Sequence, residues 1–325
     1  MKRILGLGNA LVDLLTYLPD ESFLKAHGLP AGSMTLVDAD TAETLTRDSS
    51  RFKRKIMSGG SAANTIYGLA RLQVECGYIG KTGQDELGQI FEDDLQKAGI
   101  ETHIIHSQTS TGRALALITP DGERTFAVYL GAALELTRAD LRDDVFRGYS
   151  HLHIEGYLVQ NHELLLAALH KAKHHGLTTS LDLASFNVVS ENLDFLHEIM
   201  KQGWVNIVFA NEEEAKAFTG KTPEAALEEI SSLCEMAVVK LGSQGSAIQY
   251  KEKSYKVEAI SARAIDTTGA GDMYAAGFLC GLSRGYDLEK CGRLGSFIAG
   301  RCVEVEGARM PQSLWTEIQS FMQTL

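Results

Sequence analysis

From residue 150 to the C-terminus, short apolar runs alternate with longer stretches that carry apolar residues at helical spacing. No other feature narrows the fold as much. Strands are expected at 152–154, 178–183, 205–209 and 237–241, with a hairpin at 246–260. Helices are expected at 161–175, 212–219, 223–234, 270–284, 287–303 and 312–323. A strand that returns through a helix to its neighbour runs parallel to it. The pattern therefore predicts an α/β fold with a mostly parallel central sheet and helices on both faces. The N-terminal part adds a buried first strand over 4–8 and a helix that opens at Ser58-Gly59-Gly60-Ser61-Ala62-Ala63-Asn64 and runs to Leu72. A strand at 74–80 and a helix at 88–98, stopped by Gly99, follow.

Two segments break the alternation. Residues 14–57 read as short β pieces and loops, and 103–131 as β-structure with a hairpin turning at Pro120-Asp121-Gly122. Parts of 12–57 and 103–131 are expected to form a small β lid outside the main sheet. They interrupt the sheet region twice, so 1–325 is expected to be one domain. A length of 325 residues with 44% hydrophobic content suffices for a large α/β core with an appendage. The net charge of −11 argues against a general nucleic-acid binder and against adhesion to anionic membrane. Five scattered cysteines lack any C-x-x-C, and there is no signal-peptide pattern and no apolar run of bilayer length. The expectation is a cytoplasmic protein with reduced thiols, either monomer or homodimer.

The chemistry concentrates in Asp266-Thr267-Thr268-Gly269-Ala270-Gly271-Asp272, followed by Met273, Ala276, Phe278, Leu279 and Leu282 at helical spacing. Glycines before a helix let backbone approach a ligand, and the first helical N–H groups lack intrahelical partners. Those donors and the helix dipole make an anion site, with the Asp272 carboxylate facing it. Phosphoryl transfer needs such donors and a base for the attacking hydroxyl. Other patterns fail. Gly6-Leu7-Gly8 lacks the third glycine of a dinucleotide fingerprint, because position 11 is leucine, and Gly80-Lys81-Thr82 lacks the glycine of a phosphate loop, because position 75 is glutamate. His151, His153 and Glu155 alternate on a strand and share a face, which suits either a metal site or ordinary strand histidines. Asn211-Glu212-Glu213-Glu214 opens a helix after a strand, which suits hydrated Mg²⁺ or a solvated first turn.

The 266–272 string resembles the nucleotide-site signature of the ribokinase (PfkB) carbohydrate-kinase family. The likeness covers nearly the whole chain and implies the ribokinase-like fold, with ATP and Mg²⁺ as cofactors. It also implies that Asp272 is the catalytic base, that Gly269, Ala270 and Gly271 form the anion hole, and that Arg124 is a lid arginine near the transferred phosphate. By the same likeness Asn211, Lys240, Gly242, Thr267, Gly269 and Gly271 hold the nucleotide, Asn211 and Glu214 organise Mg²⁺ through water, and Asp266 and Thr268 are candidates for a K⁺ site. Within the family, Gly8-Asn9-Ala10-Leu11-Val12-Asp13 and Met34-Thr35-Leu36-Val37-Asp38 are similar to segments of adenosine kinases. That likeness places Asn9, Asp13, Gly59, Gly60, Ser61 and Asn64 at a sugar, and Leu11, Leu36 and Phe126 around a purine. Leu181-Asp182-Leu183-Ala184-Ser185-Phe186 departs from the segment that carries a base-stacking aromatic. The function implied is ATP-dependent phosphorylation of a primary hydroxyl, adenosine's first. A free-sugar kinase acting on ribose, fructose or a keto-deoxy sugar acid, and a nucleoside-binding protein without catalysis, are the alternatives.

Overall fold

The computed structural model describes residues 2–325. The chain begins with β1 (Ile4–Leu7), β2 (Leu11–Tyr17), α1 (Ser22–Ala26), β3 (Met34–Leu36), α2 (Ala39–Asp48), β4 (Arg54–Gly59), α3 (Ser61–Arg71), β5 (Cys76–Gly83), α4 (Glu86–Lys97) and β6 (Glu101–Ser107). The hairpin β7 (Gly112–Ile118) and β8 (Arg124–Tyr129) leads to β9 (His151–Glu155), α5 (His162–His174), β10 (Thr178–Asp182), α6 (Phe186–Glu191), α7 (Leu193–Lys201) and β11 (Ile207–Asn211). The rest is α8 (Glu212–Thr219), α9 (Pro223–Leu233), β12 (Met236–Lys240), the hairpin β13 (Ser246–Tyr250) and β14 (Lys253–Val257), then α10 (Ala270–Ser283), α11 (Leu288–Cys302) and α12 (Gln312–Met322).

The main sheet has nine strands in the order β14-β13-β12-β11-β10-β9-β1-β5-β6, parallel except for the β13 and β14 hairpin at one edge. Alternation along β1 shows how it is covered. Ile4 joins the core under α3, α4, α10, α11 and α12, whereas Leu5 and Leu7 join the core under α5 to α9. Both faces are apolar, so the strand reads as an unbroken hydrophobic run. The chain passes from β1 to β5 and β6 on one side and later to β9 and β10 on the other. Ligands in open α/β sheets bind beyond the strand ends at such a reversal.

A second sheet, in the order β3-β8-β7-β2-β4, forms the smaller β lid. The expected hairpin is β7 with β8, paired antiparallel. Residues 14–57 are not all β and loop: they contain α1 and α2. The Asp38 side chain caps α2 by accepting from the Thr41 N–H at 2.8 Å, and Ala42 and Leu45 bury its inner face. That N-cap and helical spacing were present in the sequence and outweigh the local alternation. Residues 101–107 belong to the main sheet, as its edge strand β6. The strand expected at 205–209 lies two residues later, and α6 and α7 fill a stretch for which no helix was expected.

Small residues bring the site helices together. A Cβ at Gly68 of α3 would lie 2.7 Å from Ala276 Cβ, and one at Gly277 would lie 2.8 Å from Gly295 Cα. Helix α10 is therefore wedged against α3 and α11 at backbone contact. That packing sets the N-terminus of α10 beside the N-terminus of α3.

Candidate active site

A cavity of about 850 Å³ opens at the carboxyl ends of the main strands, below the lid. Its lining includes Asp13, Gly60, Ser61, Asn64, Asn211, Glu214, Lys240, Gly242, Thr267 and Thr268. It also includes the run Gly269, Ala270, Gly271 and Asp272. Most of the residues expected at the nucleotide and at the base thus share one space. Leu11, Leu36, Phe126 and Arg124 lie on the lid, and Gly59 ends β4 beside them.

Gly269 caps α10 with φ 75°, a backbone state that glycine adopts without strain, and an added Cβ would lie 2.6 Å from Ala308 Cβ. The helix then starts at Ala270, whose N–H donates to the Thr267 carbonyl at 3.2 Å, while the N–H groups of Gly269 and Gly271 make no such backbone bond and lie at the cavity wall. Asp272 follows within the first turn. Its Oδ1 accepts from Ser61 Oγ at 2.7 Å and its Oδ2 from Asn64 Nδ2 at 2.9 Å. Burial pushes its pKa up to about 6, against those two hydrogen bonds and with help from the Asp182 charge. A helix N-terminus alone would keep this carboxyl low. Desolvation wins, so Asp272 is a better base than its position in the chain suggests.

The glycine pair before α3 has two separate jobs. A Cβ at Gly59 would lie 2.5 Å from the Asp13 carboxyl carbon, so Gly59 leaves the room that Asp13 occupies. Gly60 has φ 89° and lies against the Asn9 carbonyl. Asp13 is pushed up to about 7 by burial, with Arg309 opposing and Asp272 reinforcing the rise. Asn9 does not turn to the cavity. Its Nδ2 and backbone N–H donate to Glu155 Oε1 at 2.6 and 2.9 Å, and Glu155 Oε2 accepts from the Ala62 N–H at 3.1 Å. Glu155 thus ties the end of β1 to the start of α3. The two histidines on its strand are spent on Ser180 Oγ, at 2.7 Å from His151 and 2.8 Å from His153. That is the ordinary strand arrangement rather than a metal site.

At the phosphate end Lys240 Nζ donates to Asp182 Oδ2 at 2.7 Å, and a Cβ at Gly271 would lie 3.1 Å from the same ammonium. Burial alone would lower the Lys240 pKa, but Asp182 and Glu214 outweigh it and the pKa rises. Asn211 and Glu214 form a complete capping box: Glu214 N–H donates to Asn211 Oδ1 at 2.8 Å, and Asn211 N–H and Nδ2 donate to the Glu214 carboxylate at 2.8 and 2.7 Å. Glu214 is buried, and its pKa is pushed up to about 7, by burial first. Glu212 and Glu213 are the exposed members of the string.

Arg124 reaches from the lid to the glycine loop, where it pairs with Asp266 and donates to Thr268 Oγ1 at 3.4 Å. Asp266 also accepts from the Thr268 N–H at 2.9 Å and the Gly307 N–H at 2.5 Å. Arg124 thus supplies positive charge at this carboxylate, while Asp266 Oδ1 accepts a single hydrogen bond.

Magnesium takes oxygen ligands and keeps several waters. Asp182, Glu214 and Asp272 supply carboxylates around the cavity, and the rise in Glu214 and Asp272 is what a cation would relieve. They form no tight cage. Among the described residues, three ligand atoms within 4.8 Å occur only at Asp143, His174 and His175. Lys171 and His175 already engage that aspartate. The cavity carboxylates fit a hydrated ion held with a phosphate, not a protein-chelated one.

Asp182 was not expected at the site, Glu155 was expected only as one member of a strand face with His151 and His153, and Arg309 was not singled out in the sequence. Asp182 stood in view at a strand end, before Ala184 with its φ of 62°. Phe186 is 48% exposed, opens α6 and does not line the cavity.

On the lid, register puts Asp13, Ala114, Val128 and Leu36 in one row and Leu15, Ala116, Phe126 and Met34 in the next. Opposed residues share a face, so an apolar surface surrounds Asp13. Met34 and Leu36, at its edge, are 57% and 63% exposed.

Comparison with known proteins follows the same lines. The model of the family described as "pfkB family carbohydrate kinase" matches residues 34–315. The crystal structure of adenosine kinase from Sinorhizobium meliloti superposes with a TM-score of 0.88 at 36% identity, covering 98% of this chain and 99% of that one. An uncharacterized sugar kinase of Archaeoglobus fulgidus is 32% identical over 255 residues, 76% of this chain and 99% of that protein. The adenosine kinase of Saccharomyces cerevisiae is 26% identical over 329 residues, 94% of this chain and 96% of that protein.

Proposed function

We propose a function from one premise that the comparisons establish: the chain belongs to the pfkB family of carbohydrate kinases. It is an ATP-dependent phosphotransferase that acts on an alcohol, and the acceptor we assign is the 5′-hydroxyl of adenosine. The acceptor oxygen bonds to the γ-phosphorus, the bond to the bridging oxygen breaks, and ADP leaves. The acceptor proton passes to Asp272, whose hydrogen bonds from Ser61 and Asn64 hold it at the start of α10. The N–H groups at the start of α10, those of Gly269 and Gly271 and that of Ala270 shared with the Thr267 carbonyl, receive the charge that develops on the phosphoryl oxygens. Magnesium, when bound with ATP, neutralises phosphate charge. Lys240, Gly242 and Thr267 line the phosphate end. The lid carries Arg124 over the glycine loop and, by closing, keeps water from the transferring group.

The observation that favours a nucleoside over a free sugar is the lid face. Asp13 is polar and can take the 2′- and 3′-hydroxyls, but its row and the next are apolar. A bare sugar has little surface to cover Leu36 and Phe126, whereas a purine does. Incubation with ATP and adenosine is expected to yield AMP, identified by mass and by the phosphorus resonance of a 5′-monophosphate. No phosphorylated product would refute the assignment.

Two variants probe the parts separately. Phe126→Ala should weaken adenosine binding by roughly 1–3 kcal/mol through lost apolar burial. Ribose turnover should hardly respond, and calorimetric titration reads the difference. Glu214→Gln should raise the Mg²⁺ concentration needed for half-maximal rate by about tenfold, the usual size for an outer partner of a metal site. The adenosine KM should stay put. An unchanged Mg²⁺ dependence would leave the Asn211 and Glu214 pair as a helix cap and nothing more.

A further inference from the structure

Arg309 lies in the loop between α11 and α12, and the chemistry above makes no use of it. Only 10% of its side chain is exposed, and each of its three nitrogens is engaged. Nε donates to Asp94 Oδ2 at 3.1 Å, Nη2 to Ser58 Oγ at 2.5 Å and Nη1 to Asn64 Oδ1 at 2.8 Å. The guanidinium carbon stands 4.0 Å from the centre of the Tyr67 ring. One side chain thus joins α4, β4 and α3 to the loop that carries it. Asn64 is buried, and its other end, Nδ2, is the donor to Asp272 Oδ2 at 2.9 Å.

We infer that Arg309 is a positioning residue for the catalytic base, acting through the amide of Asn64. Donors and acceptors fix the sense of each contact. A guanidinium only donates, so whatever faces it must accept. Asn64 therefore presents its oxygen to Arg309, and its NH₂ group must point the other way, to Asp272. The planar fork fixes the plane of that amide as well as its sense, because the other two nitrogens are anchored on Asp94 and Ser58. The result is a fixed relay from the Asp94 carboxylate through Arg309 and Asn64 to the Asp272 carboxylate. Ser61 holds the other Asp272 oxygen. With both oxygens fixed, the lone pair that receives the proton keeps one direction toward the acceptor hydroxyl. A base displaced by about 1 Å can lose on the order of 10² in rate.

The inference rests on the reading of Asp272 as the base, and the test separates the two. Arg309→Met keeps an apolar stem over Tyr67 and removes every donor. It should lower kcat about tenfold in the otherwise native chain, with the ATP KM within about twofold of native. In an Asn64→Ala background the same substitution should lower kcat by less than about twofold, because the group it acts through is gone. An equal fall in both backgrounds, or no fall in the first, overturns the inference. If Arg309→Met does not fold, as judged by circular dichroism, Asp94→Asn takes its place in the cycle under the same criterion. Asp272→Asn is assayed beside them. If it stays active, the base reading itself has failed. If it is inactive while the Arg309 effect is additive, only the positioning role has failed.

Discussion

Asp272→Asn is expected to lower kcat by about 10²–10⁴-fold, the range of a positioned general base. The substitution is nearly isosteric, and an amide can still accept from Ser61 or Asn64 through its oxygen. What it loses is the place for the acceptor's proton. Adenosine and ATP should bind nearly as before, since neither depends on that lone pair in the ground state. A residual kcat above a tenth of native would remove Asp272 from the role. The same residue sets a pH dependence. Its pKa stands at about 6, raised first by burial, and the deprotonated form is the one that works. Activity should therefore be full above that value and fall as pH drops through it, by about tenfold per unit once well below. A carboxyl with the ordinary value near 4 would keep full rate down to pH 5. The kcat profile between pH 4.5 and 8, taken at saturating adenosine, ATP and Mg²⁺ so that the sites of Asp13 and Glu214 are occupied, distinguishes the two.

The second large effect should come from Asp13. Its carboxyl sits in the space that Gly59 leaves, faces the cavity, and is held up at about 7 by burial. A desolvated acceptor of this kind gains most from hydroxyl donors, and a ligand without them leaves it unpaired. Sites built to bond a hydroxyl reject analogues that lack it by up to about 10⁴–10⁵, whereas apolar pockets reject a change of one methylene by only about 10–200. Asp13→Ala should accordingly lower kcat/KM for adenosine by about 10³ or more. On the native enzyme 2′-deoxyadenosine should be poorer than adenosine by roughly 10²-fold or more. The ratio between these two nucleosides should collapse in the variant. If Asp13→Ala weakens both equally and preserves the ratio, Asp13 does not read the 2′-hydroxyl.

The parts of the site that could be read in the chain are those made by neighbours in sequence. Asp266 to Asp272 is one turn entering one helix, so its donors and its carboxylate follow from seven consecutive letters. Gly59 and Gly60 were legible as a pair at a helix start, though not as two separate close approaches, because what each approaches lies elsewhere in the chain. Long-range partners left no local mark. Glu155 meets Asn9 across 146 residues, and Arg309 meets Asn64 across 245. Each looks like an ordinary strand or loop residue until the sheet brings the pair together. Asn9 shows the cost of this. As a turn residue after a strand it suits a sugar contact, but its amide is taken by a carboxylate that only the β1 and β9 pairing supplies. The basicity of Asp272 is hidden in the sequence for a related reason: the helix dipole is local and visible, and the burial that overrides it is not. The α2 helix was missed although Asp38 and Thr41 were there to cap it, because the flanking β pieces set the expected period.

The claim that most needs a direct measurement is that this kinase takes a nucleoside. Purified enzyme with ATP and Mg²⁺ should be offered adenosine, ribose and fructose in parallel, and kcat/KM determined for each from ADP release. The apolar face around Asp13 predicts adenosine highest, with ribose lower by at least about 10²-fold, the worth of burying a purine against Leu36 and Phe126. A kcat/KM for ribose or fructose equal to or above that for adenosine would contradict the account and assign the chain to the free sugars.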